Sequence, residues 1–490
     1  MFGLSVEQLP LLAAALPFLG VIPIVLLGRW PNLREAASFV TAALVLACVL
    51  PLWPVVASGT FPSVIIAEPI AGLPIAFEIE PLGLLFAVVA SVLWPVTTLY
   101  AIGYMRGHHE QNQTRFFAFF AMSVGATLCI AFAGNLFTLF IGYEMLTLLT
   151  FPLVTHHGTA KARAGGMRYL GILLGTSLAF LLLAIIWTWH LSGTGEFRAG
   201  GILAADTDPV IVAVLYMLFA FGIGKAALMP FHGWLPAAMV APTPVSALLH
   251  AVAVVKAGVF SVLKVTYYVF GLDLLQDTGA SDVIAYVAGA TILISALIAL
   301  RQDNLKKRLA FSTISQLGYI VLGAALAVPL GILGGGLHIV MHAAAKITLF
   351  FCAGAILVAA HKTEISQLRG IGRVMPVTMT AFLIGAITLI GFPPTGGMWS
   401  KWLLGNATIE AGDVVLLVVL MLSSLLNIAY LLIIPIRAFF STAPQADDYA
   451  DKPIKEAPLP SVLAICLTAT ACVLLFFFPE PFHELLKAMP

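Results

Sequence analysis

Apolar stretches of about 20 residues, the length an α-helix needs to cross the hydrocarbon of a bilayer, recur from one end of this chain to the other. Fourteen such segments lie at approximately 9–28, 36–57, 82–104, 114–133, 135–156, 166–191, 209–240, 243–271, 282–301, 307–328, 331–360, 376–411, 413–441 and 459–478. Nothing else in the sequence constrains the fold as strongly. In lipid every backbone polar group must be paired inside the protein, so spans of this length are helices. Composition agrees, with 61% hydrophobic and 10% charged residues and a mean hydropathy of +1.03, against roughly 25% charged in soluble domains. The expected fold is all-α and polytopic. Segments seven and twelve are overlong and interrupted by proline, so each reads as a discontinuous helix.

The basic residues divide the loops into two sets. Arg29, Arg34, Arg106, Arg115, Lys161, Arg163, Arg168, Arg301, Lys306, Lys307, Arg308, Lys362, Arg369, Arg373, Arg437, Lys452 and Lys455 fall in alternate loops. The other set holds Arg198 and Lys487, and collects acids such as Asp206, Asp208, Asp273, Asp277 and Asp282. The positive-inside rule places the basic set in the cytoplasm and both termini outside, in a cell (inner) membrane. With no basic n-region before it, the first segment reads as a retained span and not a cleaved signal.

Cys48, Cys129, Cys352, Cys466 and Cys472 stand inside apolar segments at no ligand spacing, so they read as small core hydrophobes. No phosphate-binding loop or dinucleotide fingerprint is present. The expectation is therefore no cofactor, no metal and no catalytic active site on this chain. Three loops exceed a few residues: an outer stretch at 58–81 with β-branched alternation that suits a small hairpin, a Gly-rich outer loop at 192–208, and a polar inner loop at 442–458. His108, His109, His156 and His157 fall in inner loops and are expected to be solvated.

The two interrupted segments resemble each other. IGKAALMPFHGWLPAAM, from Ile223, and IGFPPTGGMWSKWLLGN, from Ile390, share Ile-Gly, proline, Trp-Leu and one lysine. They stand five helices apart, an odd number, so the two units would insert with opposite topology. Paired interrupted segments of this kind point to inverted repeats around a transport site.

Five lysines, Lys225, Lys256, Lys264, Lys346 and Lys401, lie within spans, and Glu144 is the clear intramembrane acid. A charge at a helix centre costs roughly 2.5–3.5 kcal/mol, so six would cost on the order of 15–20 kcal/mol facing lipid. They must therefore face the interior, pair, or meet water. Lys264 reads equally as a structural ion pair. Lys225 (GIGKAA) and Lys256 (VVKAG) sit deep in their spans among small residues and read as transport groups. Glu144 is the expected mate of Lys225, because a carboxylate that approaches and leaves a lysine switches its hold on a proton. His338, His342 and Lys346 stand at i, i+4 and i+8, along one helix face and about 6 Å apart per step, a spacing that bridging waters suit. The alternatives are core histidines or an H-x3-H metal site, the latter without an acid or thiol nearby. His250 would link Lys256 to an entrance. His232, beside the first break, reads as a further proton group or as a cap.

KAALMPFHGWLPAAMVAPTPVSALLHAVAVVKAG (225–258) resembles the signature of the antiporter-like proton-translocating subunits of complex I, membrane-bound hydrogenases and Mrp-type cation/proton antiporters. GNLFTLFIGYEMLTLLTFPLV (134–154), LKKRLAFSTISQLGYI (305–320) and PPTGGMWSKWLL (393–404) support it. The resemblance implies fourteen helices with two inverted five-helix repeats. The chain would then divide into N-terminal helices at 1–113, repeats at 114–271 and 272–441, and a final loop and helix at 442–490. It also implies a relay in which Glu144 and Lys225 pair, Lys256 is central, Lys401 is terminal, and His250, His338, His342 and Lys346 connect them. The text ends after segment fourteen, without the long lateral helix of one family branch, and is most similar to the D subunit of Mrp antiporters. The implied activity is Na+ or K+ exchange for protons with other membrane subunits as partners. A redox-driven complex I-like or hydrogenase assembly, or a CO2/bicarbonate uptake complex, is the alternative. A non-conducting scaffold would have no reason to keep such costly charges.

Overall fold

The computed structural model describes residues 5–441 and 455–490. Most of the polar loop expected at 442–458, with Lys452, lies outside the described residues. In chain order the helices are α1 (Val6–Leu26), α2 (Pro31–Ala57), α3 (Pro81–Gly107), α4 (Gln113–Ala131), α5 (Leu136–Val154) and α6 (Ala160–Ser192). Next come a first interrupted segment whose regular part is α7 (Pro209–Gly222), then α8 (Thr243–Phe270), α9 (Asp282–Arg301), α10 (Leu305–Ala325) and α11 (Pro329–Ala360). The second interrupted segment, α12, has two halves, Pro376–Ile390 and Gly397–Glu410, and α13 (Val414–Phe440) and α14 (Leu459–Phe477) follow. Eleven of these are long and apolar enough to cross a membrane, among the described residues. The protein is a multi-pass membrane protein. The expected hairpin forms as strands β1 (Ser63–Ile70) and β2 (Leu73–Glu78), paired antiparallel.

Hydrogen bonds between loops sort them onto two faces. On one face His156 Nε2 bonds Gln111 O, His157 Nδ1 bonds Val240 O, Lys306 Nζ donates to Ala241 O and Asn304 Nδ2 donates to Glu364. This joins the loops after α3, α5, α7, α9 and α11, all of which except the one after α7 carry basic residues of the first set. On the other face Gly134 N donates to Ala76 O, Phe197 N to Gly134 O, Ile202 N to Val269 O, and Gln276 Nε2 to Ala327 O. Loops therefore alternate as a count of fourteen crossings requires.

α8 is the buried centre of the bundle: every residue of it except Tyr267 is buried. Such a helix is apolar all round because protein surrounds it on all sides, whereas α1, α13 and α14 leave much of their apolar surface outward. α8 is not regular. It runs as a π-helix at Leu248–Val252, containing His250, and again at Thr266–Phe270. Such bulges release local backbone pairing and occur often at functional sites.

Both breaks depend on close approach. The α7 segment leaves the helix at Gly222, turns through Gly224–Ala226 and Phe231–Gly233, and carries Ala227 at φ +54°. Its backbone at Lys225 packs on α8 at Gly258, where an added Cβ would lie 2.3 Å from the Lys225 carbonyl carbon. In α12 the added Cβ of Gly397 would lie 1.8 Å from Thr388 O, so the second half-helix nests against the first only with glycine there. The Met229–Pro230 and Pro393–Pro394 peptides are cis.

Lys264 adopts the structural alternative. Its ammonium donates to Glu80 Oε1 at 3.1 Å and to Ala133 O at 2.7 Å. Glu80 caps α3, accepting from Leu82 N at 2.6 Å and Gly83 N at 2.9 Å, with Pro81 at the first helical position. Glu80 is thus a buried acid at a segment end, where its sequence position concealed it. Removing one member of a buried pair strands the other charge, at about 3–5 kcal/mol. Lys264→Met is therefore expected to lower the melting temperature of the purified protein. Lys264→Met with Glu80→Gln should regain most of that loss, and a melting curve of each decides it.

Candidate functional site

Lys256, near the middle of α8, has its Nζ 2.5 Å from His342 Nδ1 on α11. Both groups are buried. A bond between these atoms needs one donor and one acceptor, so the pair holds a proton on one side and an open lone pair on the other.

From His342 the polar atoms continue along α11 toward α12. The His338 and His342 rings are 5.8 Å apart, and His338 Nδ1 bonds Ser400 Oγ at 2.9 Å. Tyr319 of α10 stacks on His338 at 5.7 Å, and the Lys401 ammonium stands 4.8 Å above the same Tyr319 ring. Lys401 donates to Ile390 O and Ser424 Oγ, both at 3.2 Å. Ile390 ends the first half of α12, so the cation sits where the helix dipole favours it. In the other direction His250 Nδ1 bonds Thr313 Oγ1 at 3.0 Å, and its ring lies 4.5 Å from Phe350. Lys346 donates to Leu309 O at 3.0 Å and interacts electrostatically with Lys256, His342 and His250.

The Nε2 atoms of His250, His338 and His342 are all buried without a hydrogen-bond partner among the described residues, as are both side-chain polar atoms of Gln316. No carboxylate interacts with His250, Lys256, His338, His342 or Lys346 among the described residues. Each charge placed on one of them therefore raises the free energy of charge on the next, which favours movement of a proton over storage of several.

Lys225 is held apart from this axis, at the α7 break. Its Nζ donates to Tyr143 O at 2.8 Å and Thr147 Oγ1 at 2.5 Å and lies over the Tyr143 ring, while its own N–H donates to Tyr143 Oη at 2.9 Å. Glu144, the expected mate, interacts with Lys225 electrostatically but makes no bond to it. Both Glu144 carboxylate oxygens are buried and unpartnered among the described residues. α5 thus offers Lys225 a backbone carbonyl and a threonine in place of the acid.

The remaining candidates separate. Lys264 belongs to the Glu80 pair. His232 is half-buried, 6.4 Å from Phe311, in a cleft of about 560 Å3 that Lys161, Arg168 and Lys307 also line on the basic-loop face. The expectation of solvated loop histidines fails for His156, which is buried; His109 and His157 are exposed and His108 is half-buried, with His108 and His157 bonded to Glu110. Tyr319, Ser400, Thr313 and Thr147 are not singled out by the sequence, because neutral polar residues in apolar text carry no mark of which neighbour they will meet.

The family described as "NADH:quinone oxidoreductase/Mrp antiporter, TM" matches residues 133–427, which hold both breaks and the whole axis. The chain is 31% identical over 420 residues to NADH-quinone oxidoreductase subunit N of Desulforudis audaxviator, covering 83% of this chain and 82% of that one. It is 34% identical over 387 residues to a probable K(+)/H(+) antiporter subunit of Rhizobium meliloti, covering 77% of this chain and 38% of that one. It spans about half the length, 52%, of NAD(P)H-quinone oxidoreductase chain 5 of Picosynechococcus. In fold it matches a chain of the Mrp complex from Dietzia with a TM-score of 0.84, at 23% identity and 98% and 97% coverage of the two chains. A chain of an archaeal membrane-bound sulfane sulfur reductase matches at 0.85, also at 23% identity, covering 98% of this chain and 96% of that one.

The Tyr319 ring stacks on His338 and lies under the Lys401 ammonium, and a cation–π contact is worth about 1–2 kcal/mol in a desolvated site. Tyr319→Leu is expected to slow proton transport in vesicles about tenfold, while Tyr319→Phe stays within about twofold of the wild type. Dye-quenching assays of both variants measure this.

Proposed function

Because the chain belongs to the NADH:quinone oxidoreductase/Mrp antiporter transmembrane family, we propose that it moves protons through the axis His250–Lys346–Lys256–His342–His338–Lys401, gated by Glu144 and Lys225. The subunit would serve a multisubunit Mrp-type Na+(K+)/H+ antiporter. The observation that carries this reading is the direct Lys256–His342 bond inside a chain of titratable groups that is buried at His250, Lys346, Lys256, His342 and His338. Each of three histidines there keeps one ring nitrogen open to a bridging water.

Lys225 would be the mobile element. It stands in a broken segment where no regular helix fixes it, and it exchanges its present acceptors, Tyr143 O and Thr147, for the Glu144 carboxylate. Approach of the acid favours the charged lysine; withdrawal favours release of the proton. The two breaks, five segments apart, would mark two inverted repeats at 114–271 and 272–441. The basic-loop face would be cytoplasmic, with both termini outside.

A second reading is a proton-pumping subunit of a complex I-like assembly, favoured by the match to subunit N over 82% of that relative. The same relay would then be driven by electron transfer in other subunits. Affinity purification of the native complex separates the two, by whether antiporter subunits or redox subunits accompany this chain.

For the relay itself, Lys225→Ala and Lys256→Ala are each expected to lower proton transport at least a hundredfold in assembled complexes. Glu144→Gln should do the same without lowering the melting temperature, since its carboxylate holds no bond in this arrangement. Unchanged transport in any one of these removes that residue from the pathway.

A further inference from the structure

On the basic-loop face, two loops meet at one carboxylate. Glu110, between α3 and α4, has a side chain only 6% exposed. Its Oε1 meets His108 Nδ1 at 3.0 Å and His157 Nε2 at 3.1 Å. His157, between α5 and α6, also presents Nδ1 to Val240 O at 3.1 Å. A carbonyl only accepts, so His157 Nδ1 carries hydrogen, and a second hydrogen must lie between Nε2 and Glu110. A neutral ring facing an ionised carboxylate would set two lone pairs against each other. The His157–Glu110 pair therefore holds a bound proton.

The surrounding groups reinforce this. Burial alone would push the Glu110 carboxyl up, but its hydrogen bonds and charge attraction to His157 and then His108 outweigh that and hold it below the usual range. The hydrogen bond to Glu110 raises His157 above the ordinary histidine value, over the opposing effect of burial. The other titratable groups facing the cluster are Tyr104 on α3, His156 and Arg115 beside it, and Lys306 at the start of α10. Of these, His156 is pulled down by its own burial and does not compete for the proton.

The cluster stands at the head of the axis. His157 and Lys306 hold the carbonyls of Val240 and Ala241, just before α8 begins at Thr243. His250 is seven residues further on, about 10 Å along the helix. Lys306 interacts electrostatically with both Glu110 and His250. A second connection runs from the His108 ring to Tyr104 at 5.6 Å, to Tyr100 at 6.1 Å, and to Phe351 of α11 at 3.8 Å. His157 keeps about a third of its side chain exposed, so the bound proton exchanges with water.

We propose that His108, Glu110 and His157 form a proton-collecting site that takes protons from water on the basic-loop face and passes them to His250. The step is transfer of a proton alone: the His157 ring gains it from water against the Glu110 charge and loses it inward, and no other bond is made or broken. This inference rests on the proposed relay, since a collector needs an axis to feed.

The test is the pH dependence of proton transport by the assembled complex in vesicles, with pH varied on the basic-loop face. Glu110→Gln removes the charge that holds the proton on His157. The pH of half-maximal rate should fall by about one unit, with slow transport near pH 8 regained on acidification. Glu110→Asp should restore the wild-type profile. A half-maximal pH equal to the wild-type value in Glu110→Gln overturns the proposal, as does a loss that acid does not restore. Should Glu110→Gln fail to assemble, His157→Asn, which removes the collecting ring, should slow transport with no regain on acidification, and a wild-type rate and pH profile in that variant overturns the proposal. Lys256→Ala separates the two levels. Transport in that variant overturns the relay, whereas an inactive Lys256→Ala beside an unshifted Glu110→Gln overturns the collector alone.

Discussion

A charged side chain cannot be left to lipid, and the architecture follows from where that constraint sends five lysines. Each ammonium is buried or turned inward and donates to an atom that would otherwise be spoken for: Tyr143 O for Lys225, His342 for Lys256, Ala133 O and Glu80 for Lys264, Leu309 O for Lys346, Ile390 O for Lys401. Backbone carbonyls are free to accept where helices end, bulge or bend. Ile390 O ends a half-helix and Ala133 O lies beyond the end of α4, whereas Tyr143 O and Leu309 O stand inside regular helices, so carbonyls of both kinds hold the cations inside the bundle.

The lysines nevertheless divide into two kinds. Lys264 meets a carboxylate that also caps a helix, an arrangement with every polar atom engaged and no reason to move. Lys225 meets neutral acceptors while a carboxylate with which it interacts stands unengaged. Along α8 and α11 the groups are basic without acids, so a proton gains nothing by staying. A static scaffold would be built like the first kind, and a conduit like the second.

The histidines show how far sequence spacing reaches. The i, i+4, i+8 pattern of His338, His342 and Lys346 does set the two rings side by side. It did not show that His342 would bond across to Lys256, nor that Lys346 would turn to α10. Loop histidines were still less legible. Polar loops are ordinarily wet, and only the meeting of the α3–α4 and α5–α6 loops bonds His156 to Gln111 O and ties His108 and His157 to one Glu110 oxygen.

The succession of helices, the alternation of their loops, the two interruptions and the inventory of intramembrane charge are all properties of the linear text. They follow from helix rise, hydrocarbon thickness and the cost of charge in lipid, which act on each segment alone. Partnership is different, because it depends on the side of α8 that faces α11 and on glycine at 258 letting the α7 break approach. Tertiary packing alone decided that Lys264 belongs to Glu80, that Tyr319 stands between His338 and Lys401, and that Glu144 waits beside Lys225 without touching it. Contacts between segments of similar apolar text are set by shape and close approach, and hydrophobicity, equal on every side of such helices, carries no record of them.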